Sequence, residues 1–123
     1  MEVLLDTNFI ISCVLKRIDF LEELGGMGFR IKVPLGVLQE MKDLKKEEKT
    51  SHVERQAIDV AFSLLEEGKV KKTRIGGKYV DDGLIRKGKT GIYIATLDRE
   101  IKHSVPNKVV IDSARKCLKI ERS

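Results

Sequence analysis

Asp6 follows directly on the apolar run Val3-Leu4-Leu5, and Asp98 follows Ile92-Tyr93-Ile94-Ala95 after Thr96 and Leu97. If both runs are parallel strands of one sheet, the two acids share its carboxyl rim, where the loops of an open α/β sheet diverge and leave a crevice for ligands. Asp82 stands at the start of a helical stretch beyond the Gly76-Gly77 turn, where the helix dipole favours negative charge. Capping of that helix by Asp81 or Asp82 is the plain alternative. Glu40 lies among Val37, Leu38 and Met41, an acid bordering an apolar stripe that is costly to bury without a cation or hydrogen bonds. Singly, each acid has an ordinary structural explanation. Together, Asp6, Glu40, Asp82 and Asp98 would repel one another and take up protons, unless one or two hard divalent cations, Mg²⁺ or Mn²⁺, turned repulsion into coordination. Mg²⁺ keeps several waters and leaves positions open to phosphate oxygens. The substrate that suits such a site is therefore a phosphodiester, with the metal activating a water and stabilising the charge of an in-line displacement.

The basic residues point the same way. From Gly68 to Ser123 there are 15 Lys and Arg against 6 Asp and Glu, so this part carries about +9 and the rest about −4 within a formal net charge of +5. A basic face beside an acidic pocket is expected where a polyanion is drawn to a metal site; an ordinary lysine-rich solvated surface is the competing explanation. Lys71, Lys72, Arg74 and Lys78 flank the Gly76-Gly77 turn, and Arg86, Lys87 and Lys89 come after the third acid; all seven are candidates to hold phosphates. Aromatic rings are few. Phe9, Phe29, Phe62 and Tyr93 read as core, which leaves Tyr79 as the candidate for base stacking. No Ser/His/Asp pattern is present, and His103 reads as a surface residue, so a nucleophilic triad is excluded.

The elements that must position these groups are short apolar runs alternating with helical patterns. Strands are expected at Val3–Leu5, Ile31–Val33, weakly at Lys69–Lys71, at Ile92–Ala95 and at Val109–Ile111, with Leu118–Ile120 an edge strand or docked tail. Near-continuous Val, Ile and Leu suits strands buried on both faces. Helices are expected over Thr7–Leu15, Phe20–Met27, Leu35–Leu44, Ser51–Glu67, Val80–Lys87 and Asp98–His103. The longest opens on the capping-box pair Ser51 and Glu54, buries Val53, Ala57, Val60, Ala61, Leu64 and Leu65, and stops at Gly68. The fold class is α/β: a three-layer α/β/α sandwich around a central, mainly parallel sheet of four to five strands.

A chain of 123 residues suits one domain, here residues 1–123, and 41% hydrophobic with 35% charged residues excludes disorder over most of its length. Cys13 and Cys117 form no CxxC pattern and read as buried free thiols of a reducing compartment. No apolar run approaches the roughly 18 residues of a membrane span, and position 2 is acidic where a signal peptide is basic, so a cytoplasmic location without membrane contact is expected.

Four segments in order resemble the PIN-domain family, named after the PilT N-terminus. They are Leu4-Leu5-Asp6-Thr7-Asn8; Val33-Pro34 leading to Val37-Leu38-Gln39-Glu40; Tyr79-Val80-Asp81-Asp82; and Ala95-Thr96-Leu97-Asp98-Arg99-Glu100. The Asp81-Asp82 doublet and the Ala-Thr-x-Asp segment look more like the PIN proteins of ribosomal-RNA processing than like VapC toxins. The resemblance implies a metal-dependent endoribonuclease acting on single-stranded or loop RNA, often a homodimer and sometimes bound by a protein partner or inhibitor. Carried over by position, Asp6, Glu40, Asp82 and Asp98 would be metal ligands and Asp81 an alternative ligand or supporting acid. Thr7, Asn8 and Thr96 would orient ligands or water. Gly83 directly after the third acid, and Arg86-Lys87-Gly88-Lys89 closing that helix early, depart from the family pattern. Two other functions stay open: a PIN-fold module that binds RNA or protein without cleaving, whose mark would be a missing acid, and a VapC-like toxin. A phospho-receiver domain would need a pair of acids after the first strand, and only Asp6 is there.

Overall fold

The computed structural model describes residues 1–123. In chain order the elements are β1 (Glu2–Leu5), α1 (Thr7–Leu15), α2 (Phe20–Gly26), β2 (Arg30–Pro34), α3 (Leu35–Lys46) and α4 (His52–Glu67), then β3 (Lys71–Thr73), α5 (Val80–Lys89), β4 (Tyr93–Ala95), α6 (Arg99–Ser104), β5 (Asn107–Asp112) and β6 (Cys117–Arg122). They build one sheet in the order β3-β2-β1-β4-β5-β6. All neighbours are parallel except the last pair, in which β6 returns antiparallel along β5. The chain leaves β1 towards β2 on one side and β4 lies on the other, so the strand order reverses between β1 and β4. Leu5 and Ala95 are partners there, and the Asp6 N–H donates to the Ala95 carbonyl at 2.9 Å. A crevice opens at such a reversal.

Alternation along the central strands divides the interior in two. Val3 and Leu5 face a large core shared with α1 to α4, including Phe9, Phe20, Met41 and Ile58, whereas Leu4 and Ile94 face a smaller one with Ile75, Leu84, Ile101 and Val105. Helices therefore cover both faces, as the continuous apolar runs of buried parallel strands require. The result is the three-layer α/β/α fold class, with six strands instead of four to five. The extra strands lie at the edges: Leu118–Ile120 is the centre of β6, and the weak third strand sits two residues later than Lys69–Lys71. The delay has a local cause. Gly68 caps α4 with φ −76, and Lys69 itself takes the left-handed conformation, φ 51, before the chain straightens.

Ser51 caps α4 as its pattern predicts, accepting from the Glu54 N–H at 3.1 Å. Its buried stripe, however, is Ala57, Ile58, Ala61 and Leu65, while Val53 and Val60 stay 60% and 47% exposed. Those two valines flank the arc centred on Ala57, Ala61 and Leu65, and α4 is too short of neighbours on that side to cover them. Helix α5 runs to Lys89, beyond the expected end at Lys87. Phe9, Phe29 and Tyr93 are core, Phe62 is half-buried, and Tyr79 is 63% exposed. Cys13 is a buried free thiol; Cys117 is free but only half-buried. No helix is long and apolar enough to cross a membrane.

Candidate functional site

At the reversal point a cleft of about 400 Å³ is lined by Asp6, Thr7, Asn8, Glu40, Asp43, Leu44, Glu47, Asp81 and Asp98. Six of these are acids and none is a cation. Asp6 is the most buried of the acids, 7% exposed, as the N-cap of α1. Its Oδ1 accepts from the Thr7 N–H at 2.8 Å and its Oδ2 from the Thr96 hydroxyl at 2.7 Å. Burial pushes its carboxyl up to about 6; those two hydrogen bonds oppose the rise, and the charges of Asp81 and Glu40 add to it.

Thr96 links two acids. Wholly buried after β4, it donates to Asp6 and accepts the Asp98 backbone N–H at 3.0 Å, fixing the start of α6 relative to α1. Thr7 plays the corresponding part towards α3: its hydroxyl donates to Glu40 Oε1 at 2.6 Å, which turns Glu40 inward from the exposed side of its helix. The acid beside the apolar stripe thus stays exposed, with a hydroxyl of α1 as its partner. Asp98 caps α6, accepting from the Ile101 N–H at 2.9 Å, so the capping and cleft-lining descriptions both hold for one residue.

Of the acidic doublet, Asp81 lines the cleft and Asp82 does not. Successive residues of an α-helix point about 100° apart, so only one of the two can face Asp6. The Asp81 carboxyl is raised above its ordinary value by burial first, then by Asp98, Asp82 and Glu100. Of the two acids that the sequence leaves as alternatives, Asp81 is thus the one at the cleft wall. Asp43 and Glu47 line the cleft as well, although neither stands out in the sequence: Asp43, three residues after Glu40, shares its face of α3, and Glu47 is the extended residue that ends the helix. Lys45-Lys46-Glu47-Glu48-Lys49 reads in the sequence as a charged connection, and Glu47 is hidden within it.

The acids share the cleft without converging on a point: no three of the chain's His, Cys, Asp and Glu side chains stand close enough to hold an ion as they lie. Two of the carboxylates are instead turned by hydrogen bonds of their own, Asp98 to its helix end and Glu40 to Thr7. In donor chemistry the set still fits a hard cation, being all oxygen, strongly anionic and uncompensated by any lysine or arginine.

The basic candidates are dispersed. Arg74 and Lys78 line a separate groove beside the start of α5, and Lys72 lines an apolar hollow with Val33, Leu38 and Phe62. Lys71 is exposed on the edge strand β3. Arg86 is tied to the loop of Arg74 and Lys78, its guanidinium donating to the Ile75 carbonyl. Lys87 and Lys89 lie six and eight residues beyond Asp81, about 9 to 12 Å along the axis at 1.5 Å per residue, at the far end of α5.

A family model described as PIN like domain matches residues 3–116. Among solved structures, that of the PIN domain endonuclease Utp24 is similar over 99% of this chain and 92% of that chain, with a TM-score of 0.76 and 20% sequence identity. At that identity the likeness is one of fold. No curated protein matches the chain. With the family model spanning nearly all of the sequence, the chain belongs to the PIN-like domain family.

Proposed function

We propose that the chain is a divalent-cation-dependent endoribonuclease that hydrolyses phosphodiester bonds in single-stranded or loop RNA. One observation carries this reading. A buried carboxylate, Asp6, is held by two donors at the reversal point of the sheet and faces a cleft of further acids with no cation among them. Asp6, Glu40, Asp81 and Asp98 are the residues proposed to hold Mg²⁺ or Mn²⁺, with Asp82 contributing charge from outside the cleft. When bound, the ion would supply an activated water and offset the charge developing on the phosphate. The chain's own groups do the rest: Thr96 and Thr7 fix the orientation of Asp6 and Glu40, and Asn8 presents an amide at the cleft wall. RNA as substrate is supported by the family resemblance and by the basic balance of residues 68–123.

A second reading is a nucleic-acid-binding PIN module that does not cleave, and the absence of a preassembled three-acid group favours it. Purified protein incubated with labelled single-stranded and duplex RNA in Mn²⁺, Mg²⁺ or EDTA, beside Asp6→Asn, separates the two. Cleavage of the single strand that needs the cation and is lost in Asp6→Asn supports the nuclease. Binding without cleavage under every condition supports the module, and cleavage indifferent to EDTA and to Asp6→Asn overturns the proposed mechanism.

A further inference from the structure

We propose that the groove between the starts of α3 and α5 seats one unpaired nucleotide of the RNA, with its base against the Tyr79 ring and its phosphate between Arg74 and Lys78. The inference rests on the nuclease reading above and names how the strand is held.

The groove, about 340 Å³, is walled by Leu35 and Gly36 on one side and by the segment from Arg74 to Val80 on the other. Such a volume lies within the range of small-ligand sites. Its two charged residues are both cations, and neither Arg74 nor Lys78 makes a salt bridge. Tyr79 is 63% exposed, the Leu35 side chain across the groove is 39% exposed, and the Lys78 ammonium stands 5.5 Å from the ring centroid. An accessible flat ring with cations around it is the combination that holds a single strand: stacking on the base face, charge on the phosphate. In a duplex both faces of each base are already stacked, so the ring selects unpaired nucleotides.

The segment is built to keep that ring in place. The Arg86 guanidinium donates to the Ile75 carbonyl, and the Tyr79 carbonyl accepts from the Gly83 N–H at 3.2 Å. Gly83 packs so closely that a Cβ there would lie 2.6 Å from the Gly76 carbonyl oxygen. Arg86 thus positions the loop. The groove also adjoins the acidic cleft. The starts of α3 and α5 meet at Gly36 and Val80, where a Cβ on Gly36 would lie 2.7 Å from Val80 Cγ2, and the same two helices present Glu40 and Asp81 to the cleft. A polyanion crossing this junction would have one phosphate at the cation site and a neighbouring nucleotide in the basic groove.

The test uses fluorescein-labelled short single-stranded RNA and a duplex of the same length, titrated in EDTA so that binding is read without cleavage. Tyr79→Ala should weaken single-strand binding about tenfold and leave duplex binding unchanged. Tyr79→Trp should keep the affinity and, in a chain without tryptophan, give an emission that the single strand quenches and the duplex does not. Arg74→Ala and Lys78→Ala should each weaken binding and reduce the salt slope by about 0.7. Unchanged single-strand affinity in Tyr79→Ala, absence of quenching in Tyr79→Trp, or equal losses on single strand and duplex would each overturn the groove. If Asp6-dependent cleavage is present while Tyr79→Ala binds normally, the groove alone fails. If Tyr79-dependent binding is present and wild-type protein never cleaves, the nuclease reading alone fails.

Discussion

Thr96 is the side chain on which the arrangement of the acids turns. Its hydroxyl is the strongest influence holding the buried Asp6 carboxyl down, and its oxygen accepts the N–H of Asp98. Thr96→Val keeps the shape and removes both bonds. It leaves a buried carboxylate short of a donor and an N–H short of an acceptor, which costs about 1–3 kcal/mol for the orphaned group. The Asp6 pKa should then rise further, so that the acid limb of the cleavage pH profile moves to higher pH while the fold persists. Thr96→Ser, which retains the hydroxyl, should restore both stability and profile. Chemical denaturation of the two variants beside pH–rate profiles checks this. An unshifted profile in Thr96→Val would show that Thr96 serves packing alone.

At the scale of elements, the strands nearest the cleft were the most legible. Val3–Leu5 and Ile92–Ala95 are apolar on both faces, and only a parallel sheet between helix layers satisfies that pattern; from it the common rim of Asp6 and Asp98 followed. What sequence could not resolve was rotation. Adjacent Asp81 and Asp82 are equivalent in composition, and the choice between them is made by Gly83, which lets α5 lie against the Ile75–Gly76 backbone and so sets the helix's angle about its axis. Asp43 and Glu47 gave no signal because the lysines between them make the stretch read as an ordinary charged surface, and Glu47 lies just past the end of α3 at Lys46. The same close contact yields a prediction. In Gly83→Ala the new methyl would meet the Gly76 carbonyl oxygen at 2.6 Å and Ile75 side-chain atoms at 2.9 Å, and backbone cannot give way as a flexible side-chain end can. A loss of about 1–3 kcal/mol is expected, typical of overpacking. Asp81 would be displaced from the cleft, so activity should fall more than stability does. Thermal unfolding and cleavage rates measured on the same preparation decide it, and a variant as stable and active as wild type would show that α5 can slide to accommodate the methyl.

For the whole molecule, the sheet order turns a linear charge asymmetry into a radial one. The basic part of the sequence contributes β3 at one edge and β4, β5 and β6 towards the other, while the acidic cleft sits at the centre, beyond β1. Burying a carboxylate there, with further acids beside it, makes the fold sensitive to pH in a direction opposite to that of most acids. Asp6 titrates at about 6 when folded against 3.8 as its reference, so between those values the native state binds more protons than the unfolded one. Stability contributed by Asp6 is therefore greatest below pH 4 and is lost as pH rises through 6; at 1.36 kcal/mol per unit, the full loss is about 3 kcal/mol. Asp81, raised in the same sense, adds to the trend. A divalent cation bound to the ionised acids would reverse it, because binding to the native state alone stabilises by mass action and improves as the ligands deprotonate. In EDTA the melting temperature should accordingly fall from pH 5 to pH 7.5. Mn²⁺ or Mg²⁺ should raise it by more at pH 7.5 than at pH 5, and Asp6→Asn should flatten the pH dependence and abolish most of the cation's effect. A metal-free melting temperature that climbs over that interval would mean that burial does not hold Asp6 protonated as its placement requires.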